Sequence, residues 1–307
     1  MLSPPLRLGT RNSPLAMAQA EEARARLCAA HGLTPEQVEL VPVTASGDKV
    51  LDRPLAEIGG KALWTKELDA WLLAGEIDFA VHSLKDVETI RPADIAIAAL
   101  LPREDVRDLL FGAASLAKLP PGARIGTSAP RRAALALHAR PDCMVVPFRG
   151  NVATRLAKLA AGEADATLLA AAGINRLGGV AGGHPLDPET WLPAPGQGAI
   201  AIECRAGDEV TRSLLAAIDH AETRRAVMAE RALLLALGGT CHSPIAVLTR
   251  LEGEDIVLRA AIFSPDGRER VEGTARFAAS DAEAPARLAA ALLARAGPEV
   301  HRHFTAP

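Results

Sequence analysis

Residues 124–139 read Arg-Ile-Gly-Thr-Ser-Ala-Pro-Arg-Arg-Ala-Ala-Leu-Ala-Leu-His-Ala, and residues 6–20 read Leu-Arg-Leu-Gly-Thr-Arg-Asn-Ser-Pro-Leu-Ala-Met-Ala-Gln-Ala. Each stretch runs from a short apolar segment through Gly-Thr into an alanine-rich segment entered by Ser and Pro. A Ser at the N-cap accepts an orphan amide, and Pro after it has no amide to leave unpaired, so both stretches predict strand, turn and helix. The same alternation extends outward. Strands are expected at 6–10, 38–43, 79–82 and 95–101, with helices from Ser13 and over 65–74. It resumes with a strand at 124–126, a helix at 128–139, a strand at 144–147, a helix at 152–161 and a strand at 166–170. Strand–helix alternation predicts parallel sheets faced by helices, an α/β class.

The residues near Leu101-Pro-Arg-Glu-Asp105 mark a crossing between two such units, and the Gly/Pro-rich stretch 178–198 marks a second. A strand at 199–203 is expected to return to the first unit's sheet, which makes a double hinge between two lobes. The tail differs: a helix over 223–237, three β-like runs at 245–251, 256–263 and 270–277, and a capping box, Ser280-Asp-Ala-Glu283, opening a last helix. The expected division is 1–101 plus 199–217, 102–198, and a small α+β domain at 218–307.

Composition narrows the function. The 307 residues carry a net charge of −3 with 49% hydrophobic residues, which excludes a disordered chain and argues against a nucleic-acid-coating one. No run of about 18 apolar residues predicts a membrane helix, and the first ten residues lack a secretory pattern. Cys28, Cys143, Cys204 and Cys241 show no CxxC or metal spacing, which is the pattern of a reduced, cytoplasmic protein with no metal. No phosphate-cradle motif appears: Gly59-Gly-Lys61 and Gly196-Gln-Gly198 match neither G-x-x-x-x-G-K-[ST] nor G-x-G-x-x-G.

Ligands of open α/β sheets bind at strand ends. Arg11 and Ser13 stand at the first strand-to-helix junction, Thr127, Ser128, Arg131 and Arg132 at its counterpart, Arg149 and Arg155 after a further strand, and Arg176 after another. Only six of the 34 basic residues are Lys, so any one Arg reads equally as a solvated helix start. Recurrence at one type of junction points instead to a ligand with many negative charges, since guanidinium forks suit carboxylates. In Val81-His-Ser-Leu-Lys-Asp86, Asp86 beside Lys85 reads as a carboxylate for proton transfer or for stabilising positive charge, or as a simple helix cap. Cys241, between Gly238-Gly239 and Pro244, reads as a small core residue or as a reactive thiol.

Taken together these segments resemble the porphobilinogen deaminase (hydroxymethylbilane synthase) family over nearly the whole chain. The carriers are Gly-Thr-Arg11-x-Ser13-Pro-Leu-Ala, Gly59-Gly-Lys-x-Leu-x-x-Lys-Glu-Leu68, Val81-His-Ser-x-Lys-Asp86, Arg103-Glu-Asp-x-Arg-Asp108, Gly126-Thr-Ser-x-x-Arg-Arg132, Arg149-Gly-Asn-Val-x-Thr-Arg155-Leu and Gly196-Gln-Gly-Ala-x-x-x-Glu-Cys-Arg205, with the Cys241 loop. The resemblance implies two lobes like those of periplasmic binding proteins and a third small domain. It implies a dipyrromethane cofactor joined by a thioether to Cys241. It also implies a monomeric transferase that adds four porphobilinogen units, each losing ammonia, and releases hydroxymethylbilane for tetrapyrrole (haem, chlorophyll, corrin) biosynthesis. On that resemblance Asp86 is catalytic and stabilises the cationic azafulvene intermediate. Ser83, Lys85, Asp86, Thr127, Ser128, Arg131, Arg132 and Arg155 lie on the cofactor side, and Arg11, Ser13, Gln19, Arg149, Arg155 and Arg176 on the substrate side. Departures from the family pattern are Trp64 for Phe, Glu57 for Lys, Ala129-Pro130 for Ser and an apolar residue, and Gly238 for an acidic residue ahead of Gly-x-Cys. The competing expectation is a two-lobed anion-binding or sensor protein that shares the fold without chemistry.

Overall fold

A computed structural model describes residues 5–43 and 63–304; the expectations for Glu57, for residues 59–61 and for the Trp64 side chain lie outside the described residues. Strand β1 (Leu6–Arg11) leads into helix α1 (Pro14–His31). Ser13 caps the helix, its Oγ accepting from the Ala16 amide at 3.3 Å, and Pro14 begins it. Strand β2 (Val38–Val43), helix α2 (Leu63–Leu73) and strands β3 (Phe79–Ser83) and β4 (Ile95–Leu100) follow.

The next set comprises β5 (Asp108–Phe111), β6 (Arg124–Gly126), helix α3 (Pro130–Ala139), β7 (Met144–Val146), helix α4 (Val152–Ala160), β8 (Ala166–Ala170), helix α5 (Ala171–Arg176) and the two-residue β9 (His184–Pro185). Helix α3 starts later than Ser128 suggests. Ala129 holds the N-cap position without a side-chain bond, and Ser128 Oγ donates instead to the Phe148 carbonyl at 2.9 Å. Strand β10 (Ile200–Arg205) and helices α6 (Glu209–Ala216) and α7 (Ala221–Ala236) precede β11 (Ile245–Glu252), β12 (Asp255–Phe263), β13 (Arg270–Ala278), helix α8 (Ala284–Leu293) and helix α9 (Pro298–His301).

The structure is a mixed α/β architecture of two five-stranded sheets with flanking helices and a three-stranded antiparallel sheet near the C-terminus. The first sheet runs β2-β1-β3-β10-β4 and the second β7-β6-β8-β5-β9. Alternation of strand and helix predicts all-parallel sheets, and three strands of each obey: β1 pairs in parallel with β2 and β3, and β6 with β7 and β8. The remaining ladders are antiparallel because one strand of each sheet, β10 in the first and β5 in the second, runs against the other four. Strand β10 returns to lie between β3 and β4, and β5 lies between β8 and β9. Both β5 and β10 follow directly on a chain crossing, so each lobe is closed by the strand that enters it.

Contacts divide the chain into one unit through Glu104 plus Ala199–Arg224, and another of Asp105–Gly198 plus Arg225 onward. In the first, Leu8, Leu27, Phe79, Val81, Ile200 and Ile202 form the core beneath α1. These strands are covered on both faces, which is why they read as near-continuous apolar runs. In the second, Ile125, Leu135 and Leu168 pack with Ala246, Leu248, Ala261 and Phe263 of the C-terminal sheet, so that sheet shares a core with the second lobe. Glu189 reinforces the contact: its carboxylate pairs with Arg250 and Arg259, and its carbonyl accepts from Arg259 at 2.8 Å.

The capping box at 280–283 does not form. Glu283 is itself the N-cap residue of α8, without a side-chain bond, and Asp281 pairs with Arg287 at 2.5 Å. Among the described residues no helix is long and apolar enough to cross a membrane, and no cluster of three metal-ligating side chains occurs.

The β12–β13 turn is wedged onto α3. Gly267 sits at φ +69°, and a Cβ there would lie 2.5 Å from both the Ala134 carbonyl oxygen and the His138 amide nitrogen. Gly253, between β11 and β12, has a similar φ of +63° but open space around it. Gly253→Ala is therefore expected to cost only the left-handed strain of about 1–2 kcal/mol, and Gly267→Ala clearly more. Urea unfolding of the two variants measures the difference, and equal midpoints would show that the wedge contributes nothing.

Candidate active site

The first lobe presents its polar residues where β1 and β3 end. Arg11 is the last residue of β1 and half-buried. Ser13 Oγ is engaged in capping α1. Gln19, buried on α1, donates from Nε2 to Ser83 Oγ at 2.8 Å, and that hydroxyl lies 3.2 Å from Gln19 Oε1. Two of the sequence-selected residues, 64 positions apart, are thus joined directly. A single 3₁₀ turn, Leu84–Asp86, carries the chain off β3. Leu84 is buried and its amide donates to the Ala199 carbonyl at 3.0 Å. Lys85 is half-buried, while Asp86 is exposed and takes no hydrogen-bond or ion-pair partner among the described residues. A carboxylate on a rigid strand exit with all its acceptor capacity unused is placed to serve a ligand.

The second lobe is organised around a residue that the sequence placed only within a motif. Asp108 opens β5, is fully buried, and receives five hydrogen bonds. Arg131 Nη2 and Arg132 Nη2 each donate at 2.7 Å, Arg132 Nε at 3.2 Å, Trp191 Nε1 at 2.9 Å and Gln197 Nε2 at 3.0 Å. Burial alone would raise the Asp108 pKa, but the two guanidiniums and the hydrogen bonds from Arg132 and Trp191 hold it well below the usual carboxylate range. Burial lowers the Arg131 pKa, opposed by Asp108 and reinforced by the neighbouring Arg132 charge. Arg131 also donates from Nη1 to the Leu192 carbonyl at 2.8 Å, yet its buried Nε has no partner.

Thr127, at the end of β6, accepts the Ala129 amide on Oγ1 at 3.2 Å. Arg155 donates from Nε to the Gly150 carbonyl at 3.0 Å, and Arg176 from Nη2 to the Gly198 carbonyl at 3.2 Å. Arg149 follows β7 and is half-buried. The sequence missed Asp108, Trp191 and Gln197 as a set because Trp191 and Gln197 lie 83 and 89 positions from Asp108 and meet it only in the folded lobe.

Cys241 stands on a tight turn. The Thr240 amide donates to Ser243 Oγ at 2.9 Å, the Ser243 amide to the Thr240 carbonyl at 3.0 Å, and Ser243 Oγ to the His303 carbonyl at 2.8 Å. Helix α7 stops before it with Gly238 at φ +64°, a conformation that explains glycine where an acidic residue is common. None of the four cysteines forms a disulfide; Cys28, Cys143 and Cys204 are buried and Cys241 is exposed. Burial raises the thiol pKa of the first two, and pushes Cys204 up to about 11.

Residues 6–213 match the family description "Porphobilinogen deaminase, dipyromethane cofactor binding domain", and residues 224–294 match its "C-terminal domain". The chain belongs to the porphobilinogen deaminase family. It is 58% identical to the porphobilinogen deaminase of Sphingopyxis alaskensis over 98% of this chain and 96% of that one. It is 50% identical to that of Nitrobacter winogradskyi over 90% and 89%, and 52% identical to that of Paracoccus denitrificans over 86% of each. The activity is accordingly that of a transferase of tetrapyrrole biosynthesis, which polymerises porphobilinogen with loss of ammonia on a dipyrromethane primer and releases hydroxymethylbilane. The residues present fit that primer: an exposed thiol on a pinned turn, and a buried Arg131 Nε–H without an acceptor beside a carboxylate-bound arginine pair.

Asp108→Asn would leave two buried guanidiniums without their counter-charge. Loss of one partner from a buried ion cluster costs about 3–5 kcal/mol, so the variant should unfold at markedly lower urea than the parent. The folded-state pKa of Asp108 lies below its unfolded value, so its stabilisation is present above the ordinary carboxylate pKa of about 4 and is lost as pH falls below it. The parent's acid-side decline should therefore flatten in Asp108→Asn, as read by urea midpoints between neutral pH and pH 3. An unchanged acid limb would remove Asp108 as its cause.

Proposed function

We propose that Asp86 is the catalytic carboxylate of this transferase and Cys241 the attachment point of the dipyrromethane primer by a thioether. Bound there, the primer supplies the pyrrole carbon to which the first substrate is joined. The observation that carries the reading is the Asp86 carboxylate itself, exposed and, among the described residues, unpartnered at a rigid strand exit in a chain that matches the family across both lobes. As the aminomethyl C–N bond of a porphobilinogen breaks and ammonia leaves, positive charge develops on the pyrrole. A fixed carboxylate accepting from the pyrrole N–H stabilises that charge without reorganising, which water cannot do. Its oxygen then holds the proton released when the new C–C bond restores the ring.

The remaining residues divide by charge. Each pyrrole carries an acetate and a propionate, and guanidinium forks bind such groups in pairs of hydrogen bonds. Arg131, Arg132 and Arg155, with Ser83, Lys85, Thr127 and Ser128, serve the cofactor side; Arg11, Ser13, Gln19, Arg149, Arg155 and Arg176 serve porphobilinogen and the growing chain. The division into 1–101 plus 199–217, 102–198 and 218–307 separates Asp86, the arginine pair and the thiol onto three domains. Four cysteines outside disulfides support a reducing, cytoplasmic setting, and the enzyme is read as a monomer.

The intact protein should weigh more than its sequence by one dipyrromethane, and Cys241→Ser should weigh its sequence mass alone. In the native loaded enzyme iodoacetamide at neutral pH should modify no thiol rapidly, because the three buried ones are raised by burial and the fourth is a thioether. An unmodified, fully active chain would end the attachment reading. Asp86→Asn should keep the primer, by mass, and lose turnover by about 100-fold or more, within the range assigned to general acid–base and charge-stabilising groups.

A further inference from the structure

Among the described residues the exposed Asp86 carboxylate touches nothing that fixes it, so its position is inherited from its turn. The near end of that turn is secured by β3: Ser83 pairs with Ile200, and Leu84 donates to Ala199. The far end runs through Val87, whose amide donates back to Leu84 at 3.1 Å, into residues that pair with no strand until β4 begins at Ile95. One side chain of this connection turns inward. Arg91, with a side chain only 8% exposed, donates from Nε to Glu203 Oε1 at 2.8 Å and from Nη2 to Glu203 Oε2 at 2.9 Å, and from Nη2 to Asp69 Oδ1 at 2.5 Å. Its Nη1 lies 3.6 Å from Glu88 Oε2.

Glu203 is fully buried on β10, the strand that also receives the near end of the turn, and its Oε2 lies 3.2 Å from His82 Nε2 of β3. Asp69 comes from α2. A single guanidinium therefore ties the connection, strand β10 and a helix together. Burial opposes the Arg91 charge, yet Asp69 and Glu203 hold its pKa above the ordinary arginine value, and His82 and Arg91 hold Glu203 below its own against burial. Buried ion clusters of this kind add little net stability over apolar packing; what they add is a defined geometry for the backbone that carries them.

We propose that Arg91 is a positioning residue for Asp86, fixing the far end of its turn through Glu203 and Asp69. The inference rests on Asp86 being the catalytic carboxylate. Arg91 touches neither substrate nor cofactor in this role; it sets where the carboxylate stands, and a displacement of about 1 Å costs up to about 100-fold in rate.

The test is steady-state kinetics on the loaded enzyme, with primer content checked by intact mass, for Arg91→Met, Arg91→Lys, Asp69→Asn and Asp86→Asn, well below each melting temperature. Arg91→Met should retain the primer and a KM within about twofold of the parent while kcat falls about tenfold. Arg91→Lys should recover only part of kcat, because an ammonium cannot grip Glu203 in a fork and reach Asp69 together. Asp69→Asn, which keeps an acceptor, should show a smaller fall in kcat at unchanged KM, and it decides the matter should Arg91→Met not fold. A parental kcat in folded, loaded Arg91→Met, or a loss that tracks missing primer, overturns the positioning role. A near-inactive Asp86→Asn beside a fully active Arg91→Met would sink this inference alone, whereas a fully active Asp86→Asn would sink the reading beneath it as well.

Discussion

The second lobe depends on one fully buried carboxylate, Asp108, facing two guanidiniums. Charges in a protein interior must be matched, and here two cations meet one anion, with Trp191 and Gln197 filling the remaining acceptor positions. The cluster carries one positive charge in excess, and Arg131 Nε has no acceptor. Helix α3 holds the pair at its first turn, so one strand residue and one helix start set the geometry of the whole cradle.

The first lobe holds the opposite arrangement. Around Arg91 stand the carboxylates of Asp69 and Glu203, with Glu88 at longer range and His82 beside Glu203. Acidity dominates behind the Asp86 turn, and basicity dominates behind the start of α3. The two lobes share one strand plan, four strands running one way with a single reversed strand inserted next to the last, yet bury polar clusters of opposite sign, so the shared topology is a frame and the chemistry is added by side chains.

Legibility followed sequence distance. Helix α1 could be read from Ser13-Pro14 alone, and the three C-terminal strands from alternation between turn residues, because caps and turns are local. Strand β5 went unread: Asp108–Phe111 is four residues long and its antiparallel pairing with β8 is invisible before the fold exists. Helix α5, six residues interrupted by Gly173, and α6, opened by Asp208, were likewise too short or too polar for periodicity to reveal. At 280–283 the local signal misled, since the helix begins at Ala284 with Glu283 as its N-cap, three positions later than a box opened by Ser280 requires. Among candidate site residues, strand-end placement pointed to the arginines and Asp86, and the family resemblance to Ser83. The residues that hold them, Asp108, Gln197, Arg91 and Glu203, act over separations of 23 to 112 positions and carry no local mark.

Strand β10 closes the first sheet but begins about 100 residues after β4 ends. At ribosomal speeds of about 5–20 residues per second, the edge of β3 stays open and β4 stays without its strand partner for roughly 5–20 s after both are made. The strands of the second sheet, all between Asp108 and Pro185, emerge within that wait. The inner lobe can thus be finished while the outer one still lacks the strand that joins β4 to β3, and Glu203 arrives on that strand. A nascent chain of this protein spends that interval with two exposed sheet edges, which makes the stretch before residue 205 the stage of its synthesis most open to wrong pairing.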